Sequence, residues 1–352
     1  MHSDKHGGFG AGRDQGRASG AAAQALLRPA PALPRTEEDV GAGFCVRAFS
    51  SRLRLATLAL LAAGLCPTMP AADESKTPPP NSEHFLLFAA EGMQKIVVLG
   101  RDGSLRWEYP AQMSRDAWRL PNGNILFCYN NEYDSGRHDN PSGVMEVTPD
   151  KKIVFHFRTT GQVWSCQRMS DGHTLVGAAS QGKLLIVNAE GTLVRSIKLV
   201  GTPGHSCLRN ARQIEGGHFL VAEEGSHAVR EYSAGGSLLR EIKVDFPPYS
   251  AVRLANGNTL ACGQGKMSEF DSRGESVWSV RADDFPQLGI RWFAGIQVLT
   301  DGNILVCNAG GKVPIFELNR AKQIPWQWPS TAAALSLGHG IQRLDIAGSP
   351  LK

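Results

Sequence analysis

From residue 83 onward the chain alternates short apolar runs with small clusters of turn-forming residues. Five near-identical phrases set the rhythm. The first is Arg119-Leu120-Pro121-Asn122-Gly123-Asn124-Ile125-Leu126, and related wording recurs around Gly172, Gly217, Gly257 and Gly302, at spacings of 49, 45, 40 and 45 residues. Each phrase reads as strand, tight turn, strand, because Asn-Gly and Asp-Gly supply the positive φ that a hairpin turn demands. Two further strands with a turn between them follow every phrase: after Gly123 come ILFCYN, GVMEVT and IVFHFR, and after Gly172 come TLVGAA, KLLIVN and LVRSIKL. A period of 40–50 residues made of four short strands predicts an all-β ring of blades and argues against a helical solenoid.

The ends of the pattern complete each other. Residues 83–110 supply three strands but no first one, and the missing strand recurs as Gly338-His339-Gly340-Ile341-Gln342-Arg343-Leu344. Pairing these termini in one blade removes the open edges that a split ring would expose. The expectation is a six-bladed β-propeller of four-stranded antiparallel blades over 83–347, with 348–352 as a short tail. A length of 352 residues by itself suggests two domains; the repeat replaces that with one ring.

Upstream the pattern is different. Residues 1–49 are Gly-, Ala- and Arg-rich without apolar periodicity and read as disordered or as an extension from an upstream start. Residues 50–72 combine Arg52 and Arg54, the apolar run Leu55 to Leu65 and small residues at Ala71 and Ala72, the pattern of a cleaved signal peptide. Eleven apolar residues are too few to span a bilayer comfortably, so secretion or release to a periplasm is expected rather than a stable membrane span. Residues 73–82 (DESKTPPPNS) form a polar, Pro-rich linker.

Charge narrows the partners. The net charge is +4, and the first 72 residues hold eight Lys/Arg against five Asp/Glu, leaving the repeat region close to neutral. A nucleic-acid partner is not expected from such a balance. A monomer is expected, with an unidentified small molecule, glycan or protein as its partner. Cys128, Cys262 and Cys307 occupy one repeat position that takes Gly177 or Ala222 in other blades, which asks for small volume rather than a thiolate. Cys166 and Cys207 complete five downstream cysteines, an odd number that cannot form a fully paired framework.

The phrases Pro121-Asn122-Gly123-Asn124-Ile125-Leu126 and Asp301-Gly302-Asn303-Ile304-Leu305, with Asp102-Gly103-Ser104-Leu105-Arg106-Trp107 and Pro325-Trp326-Gln327-Trp328, resemble the repeats of arylsulfotransferase-like and PQQ-like β-propellers. The resemblance covers roughly 83–347 and carries the architecture. For arylsulfotransferases it implies a channel histidine that accepts sulfate, and no histidine here aligns with that role. The Ala-x-Asp-x-x-Thr-Gly-x-x-x-Trp motif of the eight-bladed quinoproteins is absent, so PQQ is not expected as a cofactor.

Aligning the inner strands places Arg115, Trp164, Arg209, Tyr249, Ala294 and His339 in one ring at the strand starts, with Asp116, Ser165, Asn210, Ser250, Gly295 and Gly340 behind it. The first ring is large, polar and different in every blade, as a ligand-facing mouth or a self-satisfied channel plug would be. The ligand-binding candidates are Arg115, Asp116, Trp164, Arg209, Asn210, Tyr249, Trp292 and Glu223; the arginines suit a carboxylate, sulfate or phosphate, and the aromatics suit a sugar or a ring. His205, in a loop feeding the mouth, and His339 are the acid/base or nucleophile candidates. The loop Asn130–Ser142 carries oxygen ligands that suit Ca²⁺, without EF-hand spacing. Two functions stand: a secreted ligand-binding propeller, and an enzyme with a mouth histidine as base or nucleophile and arginines holding an anion. PQQ-dependent oxidation is a distant third.

Overall fold

The computed structural model describes residues 85–134, 139–329, 335–346 and 350–352; the predicted signal peptide and linker lie outside them. The described chain is a six-bladed β-propeller of four-stranded antiparallel sheets. One blade joins Gly340–Arg343, innermost, to Leu86–Ala90, Lys95–Leu99 and Leu105–Pro110, so the two ends of the repeat region close the ring as expected. The next holds Ala117–Arg119, Ile125–Asn130, Pro141–Val147 and Ile153–Thr160. The third is Val163–Arg168, Thr174–Ala178, Lys183–Val187 and Leu193–Lys198. The fourth is Asn210–Gln213, Phe219–Glu223, Ala228–Tyr232 and Leu238–Lys243. The fifth is Pro248–Arg253, Thr259–Gly263, Lys266–Phe270 and Ser276–Arg281. The sixth is Phe293–Val298, Ile304–Asn308, Ile315–Leu318 and Trp326–Gln327.

The glycine of the repeated phrase does the expected work in a different turn. Gly123 has φ +86°, while Asn122 keeps negative φ. The Gly123 N–H closes on the Leu120 carbonyl at 2.9 Å, and Asn122 Oδ1 accepts the Asn124 N–H at 3.0 Å. This is a type I turn followed by a left-handed glycine rather than a two-residue hairpin turn.

Apolar packing lies between the blades. Each of the six main clusters draws residues from two neighbouring sheets, as where Trp164, Leu175 and Leu184 meet Ala211, Phe219 and Tyr232. Polar staples reinforce four of the junctions. Arg168 reaches Glu146 at 2.6 Å, Arg253 reaches Glu231 at 2.5 Å, Arg320 reaches Glu269 at 2.6 Å and Arg343 reaches Glu317 at 3.0 Å, each bridging consecutive blades. Near the axis, side-chain carboxamides of one blade accept backbone N–H groups of the next: Gln167 from Gln213 at 2.7 Å, Gln297 from Arg343 at 2.6 Å and Gln342 from Arg119 at 2.9 Å. These satisfy donors that inner strands cannot pair within their own sheets.

Gly263 shows how close the backbone runs at the inner face. A Cβ placed there would meet the Pro247 carbonyl at 1.9 Å. Gly263→Ala is therefore expected to destabilise the ring by about 1–3 kcal/mol through overpacking. Urea unfolding followed by tryptophan fluorescence will measure this.

Candidate functional site

Backbone irregularity aims the ring residues at the axis. In three blades the register skips the residue at the mouth: Trp164 between Val163 and Ser165, Tyr249 between Pro248 and Ser250, and Ala294 between Phe293 and Ile296. A bulge re-aims the skipped side chain, here toward the centre. Arg115, Arg209 and His339 stand just before their inner strands. They join the same ring through loop-to-strand hydrogen bonds such as His339 N–H to the Ala89 carbonyl at 3.1 Å.

These residues enclose a cavity of about 250 Å³ at the loop-face mouth. Arg115, Arg209, Tyr249, Trp292 and His339 line it, together with Glu91, Arg291 and Leu337. Arg115 Nε donates to Glu91 Oε2 at 2.5 Å while its guanidinium lies 4.0 Å from the centre of the Trp164 ring. Arg209 Nε donates to Glu224, and its Nη1 is buried with no protein partner. Tyr249 stacks on His339, with ring centres 5.2 Å apart and planes 17° from parallel, and meets Trp292 edge-on at 6.1 Å. The Tyr249 hydroxyl also lacks a partner.

The charges follow from burial and neighbours. Burial favours the neutral form of Glu91, yet its carboxyl is pulled down to about 2 by the adjoining His339 and Arg115. Burial lowers the pKa of His339, and Arg115 adds to that against the opposing pull of Glu91, so the imidazole is neutral near pH 7. The positive charge facing Glu91 at neutral pH is therefore Arg115, with His339 adding to it only once protonated. His339 Nε2 lies 3.0 Å from Glu91 Oε2, but neither ring nitrogen has a well-aligned hydrogen bond. Burial raises the Tyr249 phenol, which keeps its proton and can only donate to an anion.

The remaining sequence candidates lie elsewhere. His205 sits beside the cavity without lining it. Its Nδ1 is 3.2 Å from the Tyr133 hydroxyl and 3.1 Å from Gln162 Oε1, and its carbonyl accepts the Trp164 indole N–H. Of the two histidines, only His339 lines the cavity. Asp116 and Asn210 lie one level deeper, around a void of about 10 Å³. Glu223 is fully buried inside its blade, held by Arg230 and by the Tyr232 hydroxyl at 2.6 Å. Strand alternation explains this: the neighbouring residue, Glu224, is the one that turns to Arg209. Residues 135–138 of the loop read as a Ca²⁺ candidate lie outside the described residues, and among the described residues no three His, Cys, Asp or Glu side chains converge on a point. Among the described residues the five cysteines are buried and none is in a disulfide.

Glu91 and Arg291 are cavity residues that the inner-strand alignment does not contain. Glu91 follows a second strand, in the one-turn helix Glu91–Met93, and Arg291 precedes an inner strand by two residues. The sequence signal available for both is their place in loops of the same face.

No protein-family model and no curated protein matches the sequence. Solved structures do match. A protein of unknown function from Bacteroides caccae superposes with TM-score 0.63 at 20% identity, over 77% of this chain and 99% of that one. A streptogramin B lyase gives 0.53 at 13% identity, over 75% and 88%. The periplasmic gluconolactonase of Pseudomonas aeruginosa gives 0.52 at 13% identity, over 75% and 99%. The chain shares their propeller fold. At these identities the likeness shows the fold alone, and the arylsulfotransferase- and PQQ-like resemblance is not confirmed by these matches. Among the described residues no helix is long and apolar enough to cross a membrane.

Proposed function

We propose that the chain is a ligand-binding propeller whose loop-face cavity takes a small monocarboxylate carrying a planar apolar group. The observation that carries this reading is Arg209: a buried guanidinium at the cavity wall with one nitrogen unpartnered. A buried charged donor without an acceptor is costly, and an incoming carboxylate removes that cost. The Tyr249 hydroxyl offers a second donor, and Trp292 an aromatic face beside it. Three arginines, Arg115, Arg209 and Arg291, stand against two carboxylates, Glu91 and Glu224, while His339 is neutral. That small cationic excess suits a singly charged anion better than a phosphate dianion. The fold neighbours named as a lyase and a gluconolactonase support a small-molecule ligand. If the cavity also performs chemistry, His339 is the base it offers.

Isothermal titration with benzoate and phenylpropionate, against sulfate, phosphate and benzylamine, tests the reading. The arylcarboxylates are expected to bind and the amine not to. Arg209→Lys keeps a charge for Glu224 but removes the free guanidinium donor, so affinity should fall about tenfold or more. Failure of every carboxylate to bind, or equal affinity in Arg209→Lys, would overturn it.

A further inference from the structure

The opposite, turn-face end of the axis holds a second constellation. Asp116 accepts Arg212 through both oxygens, at 2.7 and 3.1 Å, and the Cys166 backbone N–H at 3.0 Å. The segment Pro350–Lys352 is seated beside it. Leu351 pairs with Val298 as a short antiparallel bridge, its carbonyl accepting the Val298 N–H at 2.8 Å. Arg212 Nε donates to the Lys352 carbonyl at 2.8 Å. The Lys352 ammonium is buried: it donates to the Ala117 carbonyl, stands 3.6 Å from Asp116 Oδ1 and lies 4.4 Å from the centre of the Trp118 ring. Hollows of about 830 and 640 Å³ flank the segment and leave room for further residues of a chain.

These groups come from different blades and converge on the three things a lysine-bearing peptide presents: a strand-forming backbone, a carbonyl and an ammonium. A carboxylate, a backbone carbonyl and an indole face are the standard chemical means of holding an ammonium. The isolated bridge to Val298 is one residue pair of the kind that strand addition extends, a mode in which main-chain bonds give affinity and a side-chain pocket gives selectivity. We propose that the turn-face end of the axis is a binding site for an extended peptide bearing lysine, filled in this chain by its own Pro350–Lys352. The site lies below the loop-face cavity, and a void of about 10 Å³ between them is bounded by Arg115 and His339 on one side and Asp116 and Lys352 on the other. Burial draws the Lys352 amine down to about 8 against the pull of Asp116, which leaves it mainly ammonium at neutral pH.

The test unseats the resident segment in the full chain with Leu351→Gly and Lys352→Gly together. A synthetic Ser-Pro-Leu-Lys peptide, the chain's own last four residues, is then titrated by calorimetry. The peptide should bind the double variant and not the wild type. Replacing its lysine by norleucine, or Asp116 by Asn in the protein, should weaken binding at least tenfold. Absence of peptide binding to a double variant that melts cooperatively, or equal binding of the norleucine peptide, would overturn the proposal. A measurement on the wild type stands beside this. Lys352 should resist acylation by an amine-reactive reagent, read by peptide mass spectrometry, while the exposed Lys151 reacts. Equal labelling of the two also rejects the site.

Discussion

Arg230→Met is expected to cost about 3–5 kcal/mol, the cost of leaving one half of a buried ion pair behind. The reason lies in Glu223, which is 0% exposed and finds its compensating charge in Arg230. The Tyr232 hydroxyl and Ser226 add hydrogen bonds but no charge. Burial already raises the Glu223 pKa, with Tyr232 and Arg230 opposing it. Without Arg230 the carboxyl rises further. A carboxyl whose folded pKa lies above its unfolded value loses stability as the pH climbs past the unfolded value. The defect in Arg230→Met should therefore be largest at neutral pH and shrink on acidification, as Glu223 takes up a proton. Urea melts at several pH values will show this, and a defect independent of pH would mean that Glu223 is not the group left uncompensated.

Glu91→Gln is expected to follow the opposite pH course. Burial alone would raise the Glu91 carboxyl, but His339 and Arg115 bring it from an ordinary 4.5 down to about 2. A carboxyl with a depressed folded pKa contributes stability above its unfolded value and loses it as pH falls toward the folded one. The full shift corresponds to roughly 3 kcal/mol, but it is reached only with His339 protonated, so the share present at neutral pH is the smaller one due to Arg115. Glu91→Gln should therefore lose less than that at pH 7, and the gap to wild type should close between pH 4.5 and about 2. The variant also leaves the Arg115 guanidinium without its carboxylate. Parallel melts of the two proteins across that window measure the effect, and a constant gap would refute it.

Much of the fold was legible because the repeat is written in turns. A glycine at a fixed place in five phrases marks five hairpins, and the orphan strand around Ile341 announces the closure with Leu86–Ala90. The ring of Arg115, Trp164, Arg209, Tyr249 and His339 was legible for the same reason, since position in a repeat fixes distance from the axis. Side-chain direction at strand ends was not. Glu223 and Glu224 are adjacent, and one-residue alternation sends the first into the blade and the second to Arg209. Asp116 reads as a mouth residue by alignment, yet its partners Arg212 and Lys352 come from a distant strand and from the last residue of the chain. No local pattern encodes such pairs. His205 was ambiguous because a loop can carry a residue near a mouth and still turn its ring toward Tyr133 and Gln162.

The closing blade brings Glu91, just after the first described strand, against His339, just before the last one. The same two residues line the cavity. The proposed site is therefore incomplete until head and tail join, because its wall is drawn from both ends of the ring. Bringing distant ends together carries an entropic cost that grows slowly with the length of chain between them. Anything lodged against Glu91 and His339 acts as a rivet across that seam and lends its binding energy to circularisation. A cut in a loop far from the cavity would then be felt first as weaker affinity, before any individual blade frays.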